Sequence, residues 1–366
     1  MDKNGLIKDA ISRYTENKEK RDRGIIDYIP FYHSLPRFSN YLPGIIRGKY
    51  MHFTAHSSVG KTQLAKFLTI MVPYIFSKRV SKLNYKIIYF ALEESEEEFV
   101  DNLVAVVLNE KYKMNIDAET LNSYKKETIS KEIINRIIES EKIVSEILDT
   151  VDIVTTESNP TGLYKYCKNI SEANGEHKKK IVEYVKSGGE VERREVYDKY
   201  VPKNDTQFIV VTDHLGLIGT ERGAETTHKA MSKWSQSYAR LEITKRWKFS
   251  VVDIIQQAAA GEDETFYKGK SIISKLKPSL SGYGDNKIIA RDAHIILGLF
   301  GPNRFEIEEF NGYNIRKFGD KFRSLEVIKN RGGKSNIEVP LLFEPHKNHF
   351  TELPFPGDPL LNNYYN

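Results

Sequence analysis

Apolar and polar residues alternate along this chain in blocks that separate strands from helices. Predominantly apolar runs at 86–92, 207–213 and 249–255 are typical of strands buried on both faces of a parallel sheet. Between them, as in 96–150, apolar residues recur at helical spacing. Further strands are predicted at 52–54, 151–155, 293–299, 322–329 and 337–343. Strands that alternate with helices predict an α/β fold with a central, mostly parallel sheet flanked by helices.

The first 34 residues are predicted to form an arm ahead of the main domain. An amphipathic helix is expected over 5–20, with one apolar stripe made of Leu6, Ile7, Ala10, Ile11 and Tyr14. This helix either packs on the core of its own chain or docks on a neighbouring subunit. The sequence leaves both alternatives open.

Two further segments differ from the main domain, which is assigned to 35–350. The stretch 159–206 is polar and lysine-rich, and it predicts one or two surface helices with loops that elaborate the core. The tail 351–366 is rich in proline and asparagine, so it is expected to be loose.

Composition changes this picture only slightly. Of the 366 residues, 40% are hydrophobic and 29% charged, which is ordinary for a globular protein. The single cysteine, Cys167, excludes an internal disulfide and suits the reducing cytoplasm. No apolar run is long enough to span a bilayer, so no membrane partner is expected. The net charge of +5 permits a nucleic-acid partner without requiring one.

The strongest chemical signal lies between the strand 52–54 and the helix after it. The residues concerned are Ala55, His56, Ser57, Ser58, Val59, Gly60, Lys61, Thr62 and Gln63. They match the phosphate-binding loop G-x-x-x-x-G-K-[ST], with alanine in place of the first glycine. Backbone N–H groups of such a loop converge on phosphate oxygens at a helix N-terminus. Lys61 is therefore predicted to reach the β- and γ-phosphates of ATP, and the Thr62 hydroxyl to ligate Mg²⁺.

Acidic residues follow two of the buried strands. Asp213 ends the run 207–213 and is the best candidate for a second group directed at Mg²⁺. Glu93 directly follows 86–92 and is the candidate general base that orients water against the γ-phosphate. The acidic residues of 94–98 are interpreted as a solvated helix start.

Polar residues at two other strand ends could take part in the same chemistry. Gln256 follows the strand 249–255, at the edge where ligands bind to parallel sheets, and could sense the γ-phosphate. Lys329 and Arg331 alternate at the end of 322–329, which places two cations on one face of the strand. A solvent-exposed turn is the alternative for this pair.

Together these stretches resemble the RecA-like motor domain of the bacterial DnaB-type replicative helicases, over roughly 35–350. F-A-L-E-E-S at 90–95 is similar to that family's F-S-L-E-M-S, and D-H-L-G-L-I at 213–218 to its D-Y-L-Q-L-I. I-Q-Q at 255–257 and K-N-R-G at 329–332 resemble its S-Q-L and K-N-R-x-G. The chain departs from the pattern at His214, Gly282, Gly284 and His294.

The resemblance implies a P-loop ATPase that works as a hexameric ring with ATP and Mg²⁺ bound between subunits. Glu93 would activate water, Gln256 would link the γ-phosphate to DNA-facing loops, and Lys329 with Arg331 would enter the neighbour's site. Loops near 219–228 and 258–287 would face the channel and contact single-stranded DNA. The contacting residues implied are Arg222, Lys268, Lys270, Lys275 and Lys277.

The resemblance also bears on partners and leaves alternatives. A primase or a loader is a candidate partner by this resemblance, although the short arm stands where the family has a separate N-terminal domain, which counts against coupling to a primase. The compact size suggests a phage or a mobile element. A RecA-like recombination or strand-pairing ATPase, and an ATP-gated oligomeric scaffold that binds DNA without unwinding it, share the ATP-binding residues. The K-N-R sequence at 329–331 and the stretch 280–294 favour the helicase.

Overall fold

Strands and helices alternate through the computed structural model, which describes residues 3–22, 26–79, 83–124, 129–187, 189–258, 266–267, 270–271 and 273–365. The strands within this part of the chain are β1 (Tyr28–Pro30), β2 (Gly44–Ile46), β3 (Tyr50–Ala55), β4 (Tyr85–Ala91), β5 (Val151–Val154), β6 (Gly175–Val185), β7 (Val191–Pro202), β8 (Gln207–Asp213), β9 (Ser250–Gln256), β10 (Phe266–Tyr267), β11 (Lys270–Ser271), β12 (Ile295–Phe300), β13 (Glu309–Phe310), β14 (Tyr313–Asn314), β15 (Phe322–Asn330), β16 (Ile337–Glu344) and β17 (His349–Glu352).

The helices of the same residues are α1 (Lys3–Asp22), α2 (Pro36–Ser39), α3 (Lys61–Lys66), α4 (Val72–Arg79), α5 (Glu96–Tyr112), α6 (Ala118–Leu121), α7 (Lys131–Leu148), α8 (Pro160–Asn174), α9 (Thr227–Lys233), α10 (Ile273–Leu276) and α11 (Lys287–Asp292). Two π-helical segments, Phe67–Met71 and Trp234–Arg246, continue α3 and α9. Short 3₁₀ turns are found at Leu215–Leu217, Ser281–Asn286, Pro302–Phe305, Ile315–Lys317, Gly319–Lys321, Pro345–Lys347 and Pro359–Tyr364.

The central sheet has the strand order β17-β16-β15-β12-β3-β9-β8-β4-β5. The strands from β12 to β5 are parallel, and β15, β16 and β17 extend the sheet in antiparallel fashion. This confirms the predicted α/β class with a mostly parallel sheet. Parallel neighbours require crossover connections, which the helices supply. The carboxyl ends of β3, β9, β8 and β4 therefore share one edge of the sheet, which we call the carboxyl edge; the opposite edge is the amino edge.

Helices cover both faces of the sheet, as its apolar strands require. On one face α3, α5 and α7 bury Leu64, Phe99 and Ile147 against alternate residues of the strands. On the other face α8, the second π-helical segment and α11 form a separate core that includes Trp234 and Ile289. The sheet is thus held between two apolar layers, and its edges are where polar groups can gather.

The N-terminal arm is a helix, as predicted, and the large apolar residues of its stripe whose side chains are described are exposed and not packed on the core of their own chain. In α1 the side chains of Ile7, Ile11 and Tyr14 are 59%, 58% and 64% exposed. Docking of this helix on a neighbouring subunit therefore remains as a proposal. Across the described ranges, we find no helix with the length and apolar character needed to cross a membrane.

The lysine-rich stretch differs from its prediction in its second half. Its first part is the helix α8, but β6 and β7 then form a long antiparallel hairpin where surface helices were expected. β-Branched and aromatic residues flank the sequence Ser-Gly-Gly at 187–189, which is a hairpin signal that the lysine count obscures. Cross-strand ion pairs, such as Lys179–Glu195 at 2.7 Å and Arg193–Glu183 at 2.8 Å, join its strands.

The C-terminal tail, expected to be loose, is packed. β17 extends the central sheet, and Leu353 and Leu361 are 0% and 4% exposed in a third core beside Phe318 and Phe322. The prolines and asparagines between them predict turns, but the apolar residues that they separate are enough to anchor the segment.

Candidate nucleotide-binding site

The predicted phosphate-binding loop connects β3 to α3 at the carboxyl edge. Gly60 caps the N-terminus of α3 with φ of 103°, a backbone conformation that favours glycine. The ring of Phe343 would lie only 3.1 Å from a Cβ at this position, so a larger residue would also have to displace that ring. The first N–H groups of α3 are thereby presented at the carboxyl edge, as an anion site requires.

A buried arginine that sequence reasoning missed supports this loop. Arg323 of β15 is 1% exposed, and its Nε donates to the Val59 carbonyl at 2.6 Å. Its Nη1 donates to the Asp320 carbonyl at 2.7 Å, and its guanidinium lies 5.1 Å from the ring centre of Phe343. Because Nε and Nη1 both donate to backbone carbonyls, Arg323 holds the phosphate-binding loop against β15. The sequence signal for this role was that a charged residue, Arg323, lies within an apolar strand.

The two predicted Mg²⁺ ligands lie together. The Thr62 hydroxyl donates to Asp213 Oδ1 at 3.1 Å, and the Tyr89 hydroxyl donates to Asp213 Oδ2 at 2.5 Å. Asp213 is 2% exposed, and this burial raises the pKa of its carboxyl, while the hydrogen bond from Tyr89 opposes the shift. A hydroxyl and a carboxylate are the hard oxygen donors that Mg²⁺ takes alongside phosphate oxygens. These two residues therefore fit the ion.

The acidic run after β4 leads into the start of α5, as predicted, but Glu94 is not the solvated residue that was expected. Glu93 is exposed at the carboxyl edge. Glu94 instead turns towards Lys66 at 2.7 Å, and both side chains are largely buried, at 16% and 12% exposure. Burial raises the pKa of Glu94, with Lys66 acting against that shift. Ser95 and Glu98 then form a capping box that begins α5.

Half-buried His214 lies among the predicted catalytic groups. Burial lowers its pKa, and so does the nearby Lys61 ammonium, whereas Glu93 and Asp213 raise it. Lys61, Glu93 and Asp213 are thus all near enough to His214 to affect its charge. The sequence marks His214 only as a departure from the family pattern.

Gln256 and a neighbouring cavity complete this edge. Gln256 pairs with Ala55 across β9 and β3, and it is exposed next to the start of the loop. A cavity of about 390 Å³ lies between α3, α5 and the turn Pro345–Lys347. Its polar lining includes Gln63, Asn102 and His346.

Lys329 and Arg331 lie at the amino edge of the sheet. The Arg331 N–H donates to the His294 carbonyl at 3.0 Å. Lys329 Nζ donates to the Ala290 carbonyl at 2.6 Å, and the guanidinium of Arg331 donates to the Arg291 carbonyl. The two cations thus share one face, as their spacing predicts, and together they bind the C-terminal end of α11. Burial, and then the charge of Arg331, lowers the pKa of Lys329 to about 8.

The residues predicted to contact nucleic acid are not all available to do so. Arg222 is exposed in the turn between Glu221 and Ala224, and Lys275 is exposed on α10. Lys268 and the side chain of Lys270 lie outside the described residues.

Lys277, also predicted to contact DNA, is paired with carboxylates of its own subunit. Its ammonium lies 3.1 Å from Glu326 and 2.9 Å from Glu338, and its side chain is 20% exposed. Two carboxylates on β15 and β16 already neutralise it, and they raise its pKa against the opposing effect of burial. Lys277 is therefore left out of the DNA-binding set proposed below, because its charge is already paired. Its spacing in the sequence could not reveal these partners.

Comparison with solved structures shows likeness along nearly the whole chain. One solved ATPase domain matches with a TM-score of 0.65 and 14% identity, over 95% of this chain and 99% of that domain. A DnaB-like replicative helicase, described with its interactions with primase, matches with a TM-score of 0.63 and 14% identity. That match covers 94% of this chain and 66% of the helicase. The chain has the fold of the DnaB-type helicase motor.

The structural likeness confirms, at the level of the fold, the resemblance read from the motifs. No protein-family model matches the sequence, and no curated protein matches it either. At 14% identity the likeness shows the fold alone. The function must therefore be argued from the arrangement of residues at the two edges of the sheet.

Proposed function

We propose that this chain is an ATP-dependent replicative DNA helicase, a hexameric ring motor that couples ATP hydrolysis to translocation on single-stranded DNA and to duplex unwinding. One observation carries this proposal. The groups suited to holding ATP and Mg²⁺ lie at the carboxyl edge of the sheet, whereas the paired cations Lys329 and Arg331 lie at the amino edge.

This separation favours an oligomer joined head to tail. The rise of β3 from Met51 to Ala55 alone is about 13 Å, so Arg331 cannot reach the phosphates of its own subunit. In a head-to-tail contact the amino edge of one subunit meets the carboxyl edge of the next, and such contacts generate rings when they close. A cation supplied in this way is worth about 10³–10⁵ in rate in known nucleotide hydrolases.

Within one subunit, each group at the carboxyl edge has a separate task in this proposal. Thr62 and Asp213 hold Mg²⁺, which neutralises phosphate charge when bound, and Lys61 contacts the β- and γ-phosphates. The loop from Ala55 to Gln63 surrounds the phosphates with backbone N–H groups. The adjoining cavity of about 390 Å³ receives the nucleoside part of ATP.

Glu93 is the proposed general base because it is exposed while Glu94 is held by Lys66. The Glu93 carboxylate accepts a proton from water, and the water oxygen attacks the γ-phosphorus. The bond from that phosphorus to the bridging oxygen breaks, and ADP leaves with the electron pair. Gln256, beside the start of the loop, is placed to contact the γ-phosphate and to register its loss.

Single-stranded DNA is the proposed track. Exposed Arg222 and Lys275, together with Lys268 and Lys270, supply charge for backbone contacts that carry no base code. The similar DnaB-like helicase interacts with primase, which supports a primase or loader as a partner here. Such a motor would act in the cytoplasm of a bacterium or of a phage-infected host.

Three measurements on the purified protein test this function. ATP hydrolysis should rise with single-stranded DNA, a forked duplex should be separated only with ATP, and negative-stain images with an ATP analogue should show closed rings. DNA-stimulated hydrolysis with strand pairing but without displacement would indicate a recombination-type ATPase. Assembly on DNA without turnover would indicate a scaffold, and either result would overturn the helicase proposal.

A further inference from the structure

Three alternate residues, two on β3 and one at the start of the phosphate-binding loop, are polar and buried. His52, Thr54 and His56 are 0%, 1% and 3% exposed. Alternate residues of a strand point to the same face, and the neighbouring Met51, Phe53 and Ala55 belong to the apolar core of the other face. Buried polar groups cost free energy unless they are bonded, so their partners explain their presence.

Two of them contact the segment 276–283, which we call the docked segment. His52 Nδ1 lies 3.1 Å from the Tyr283 hydroxyl, and their rings are stacked with centroids 5.8 Å apart. His56 Nε2 donates to the Leu276 carbonyl at 2.9 Å. Burial lowers the pKa of His52 to about 3, so its ring is neutral at physiological pH. One end of the docked segment is therefore tied to β3 and the other to the start of the phosphate-binding loop.

The third residue is tied to the middle of the docked segment through Gln257. Gln257 Nε2 donates to Thr54 Oγ1 at 2.7 Å, and Gln257 Oε1 accepts from the Ser279 N–H at 3.2 Å. The Ala258 N–H also donates to the Gly282 carbonyl at 2.8 Å. A Cβ on Gly282 would lie 1.5 Å from Gln257 Oε1, so the contact requires glycine at this point.

The docked segment leads along the chain to the helix that is bonded to Lys329 and Arg331. It is followed by α11, whose last carbonyls accept hydrogen bonds from Lys329 and Arg331. It is preceded by the glycine- and lysine-rich stretch that begins at 258. The docked segment thus connects β3, the proposed DNA-binding stretch and α11. The last carbonyls of α11 bind Lys329 and Arg331, the cations proposed to act on a neighbouring subunit.

We infer that the hydrogen bonds of His52, Thr54 and His56 to the docked segment transmit the state of the nucleotide to the DNA-binding stretch. Packed interiors pass on small shifts rather than absorbing them, and a loop bonded at three points must follow the strand. Thr54 and Tyr283 are positioning residues in this scheme, since they touch neither ATP nor DNA. The inference rests on the proposed function and adds the path by which the two sites communicate.

The experiment compares DNA affinity in two nucleotide states. Fluorescence anisotropy with a single-stranded oligonucleotide gives Kd in the presence of a non-hydrolysable ATP analogue and in the presence of ADP. Coupling between sites is typically about 5- to 150-fold, so the wild type should show a ratio in this range. Thr54→Val and Tyr283→Phe each remove one hydroxyl with little change of shape, and each should lower the ratio. The double variant should lower the ratio further than either single variant.

A matched control separates coupling from stability. Tyr313→Phe removes a hydroxyl that donates to the Pro354 carbonyl at 2.7 Å in the third core, and it should leave the ratio unchanged. A purely structural role for the docked segment would lower the unfolding temperature of the variants but preserve their ratio, which would overturn the inference alone. A wild type without nucleotide-dependent DNA affinity would overturn the proposed function, and the inference with it.

Discussion

The Lys66 ammonium lies 2.7 Å from the Glu94 carboxylate, between α3 and the start of α5. Lys66 also lies 4.5 Å from the ring centre of Phe99, and the largely buried pair forms part of the wall of the cavity beside α5. A largely buried ion pair depends on both partners, because removing one leaves an uncompensated charge. The pair therefore gives Glu94 a structural task and separates it from its neighbour Glu93.

The first prediction follows from that division. Glu93→Gln should bind ATP normally and lose turnover by about 10²–10⁴-fold, as expected for loss of a general base. Glu94→Gln should retain much of its turnover and lower the unfolding temperature, because Lys66 loses its partner. ATP hydrolysis, binding of a fluorescent ATP analogue and thermal unfolding distinguish the two variants.

A reversed pattern would show that the assignment is off by one residue. If Glu94→Gln lost turnover while Glu93→Gln hydrolysed ATP at the normal rate, Glu94 would be the base and its contact with Lys66 would belong to the nucleotide-free state. Lys66→Met provides the matched control, since it should reproduce the stability loss of Glu94→Gln.

The sequence predicts the strands of the main sheet because central parallel strands are apolar on both faces. The position of Asp213 opposite Thr62 followed from the same logic, since Asp213 ends β8 and Thr62 begins the helix that follows the parallel strand β3. The structure thus brings together residues that are 151 positions apart in the chain. Local pattern and sheet topology were sufficient here.

Sequence reasoning failed where a residue's role depends on a distant partner. Arg323 and Lys277 are both cations, yet Arg323 supports the phosphate-binding loop and Lys277 is neutralised by Glu326 and Glu338. Nothing in their neighbours along the chain distinguishes them from surface charges. The hairpin of β6 and β7 was missed for a different reason, since its strands are exposed on both faces and lack the apolar alternation that identifies a half-buried strand.

The second prediction concerns DNA binding. Changing Lys268, Lys270 and Lys275 to alanine should weaken binding of single-stranded DNA and flatten its dependence on salt, because each lost phosphate contact lowers the slope of log K against log salt by about 0.7. Lys277→Ala should instead lower stability and leave the slope unchanged. Anisotropy titrations over a range of salt concentrations provide the measurement. An unchanged slope in the triple variant would exclude this stretch from the DNA contact.

The third prediction uses the buried His52. Its pKa is lowered from 6.5 to about 3, chiefly by burial, so below pH 6.5 protons bind the unfolded chain but not the native one. Stability that this residue maintains at neutral pH is therefore lost as the pH falls from 6.5 towards 3. The free energy of unfolding of the wild type, minus that of His52→Phe, should decrease by about 2 kcal/mol between pH 7 and pH 5.

Urea unfolding at both pH values provides this measurement. Asp253 titrates in the opposite sense, since burial raises its pKa to about 6, but it is present in both proteins and its effect cancels in the difference. A difference that stays constant with pH would mean that His52 can be protonated within the native state. The buried hydrogen bond to Tyr283 would then need a different explanation.

The fourth prediction tests whether Arg331 acts on a neighbouring subunit. The backbone N–H of Arg331 donates to the His294 carbonyl at the amino edge, whereas Lys61 begins α3 at the carboxyl edge. Lys61→Ala and Arg331→Ala should each lose ATP hydrolysis, by about 10²–10³-fold or more, since each removes a charge that stabilises the transition state. Both variants should keep the wild-type unfolding temperature.

Mixing the two inactive variants should restore part of the activity. In a head-to-tail ring each site uses Lys61 of one subunit and Arg331 of the next, so random assortment of equal amounts leaves about a quarter of the sites intact. If both residues acted within one subunit, no mixture could contain an intact site. Turnover per subunit, measured across mixing ratios after dissociation and reassembly, should peak near equal amounts. A flat, inactive profile, or full activity in isolated Arg331→Ala monomers, would contradict the ring motor at its central point.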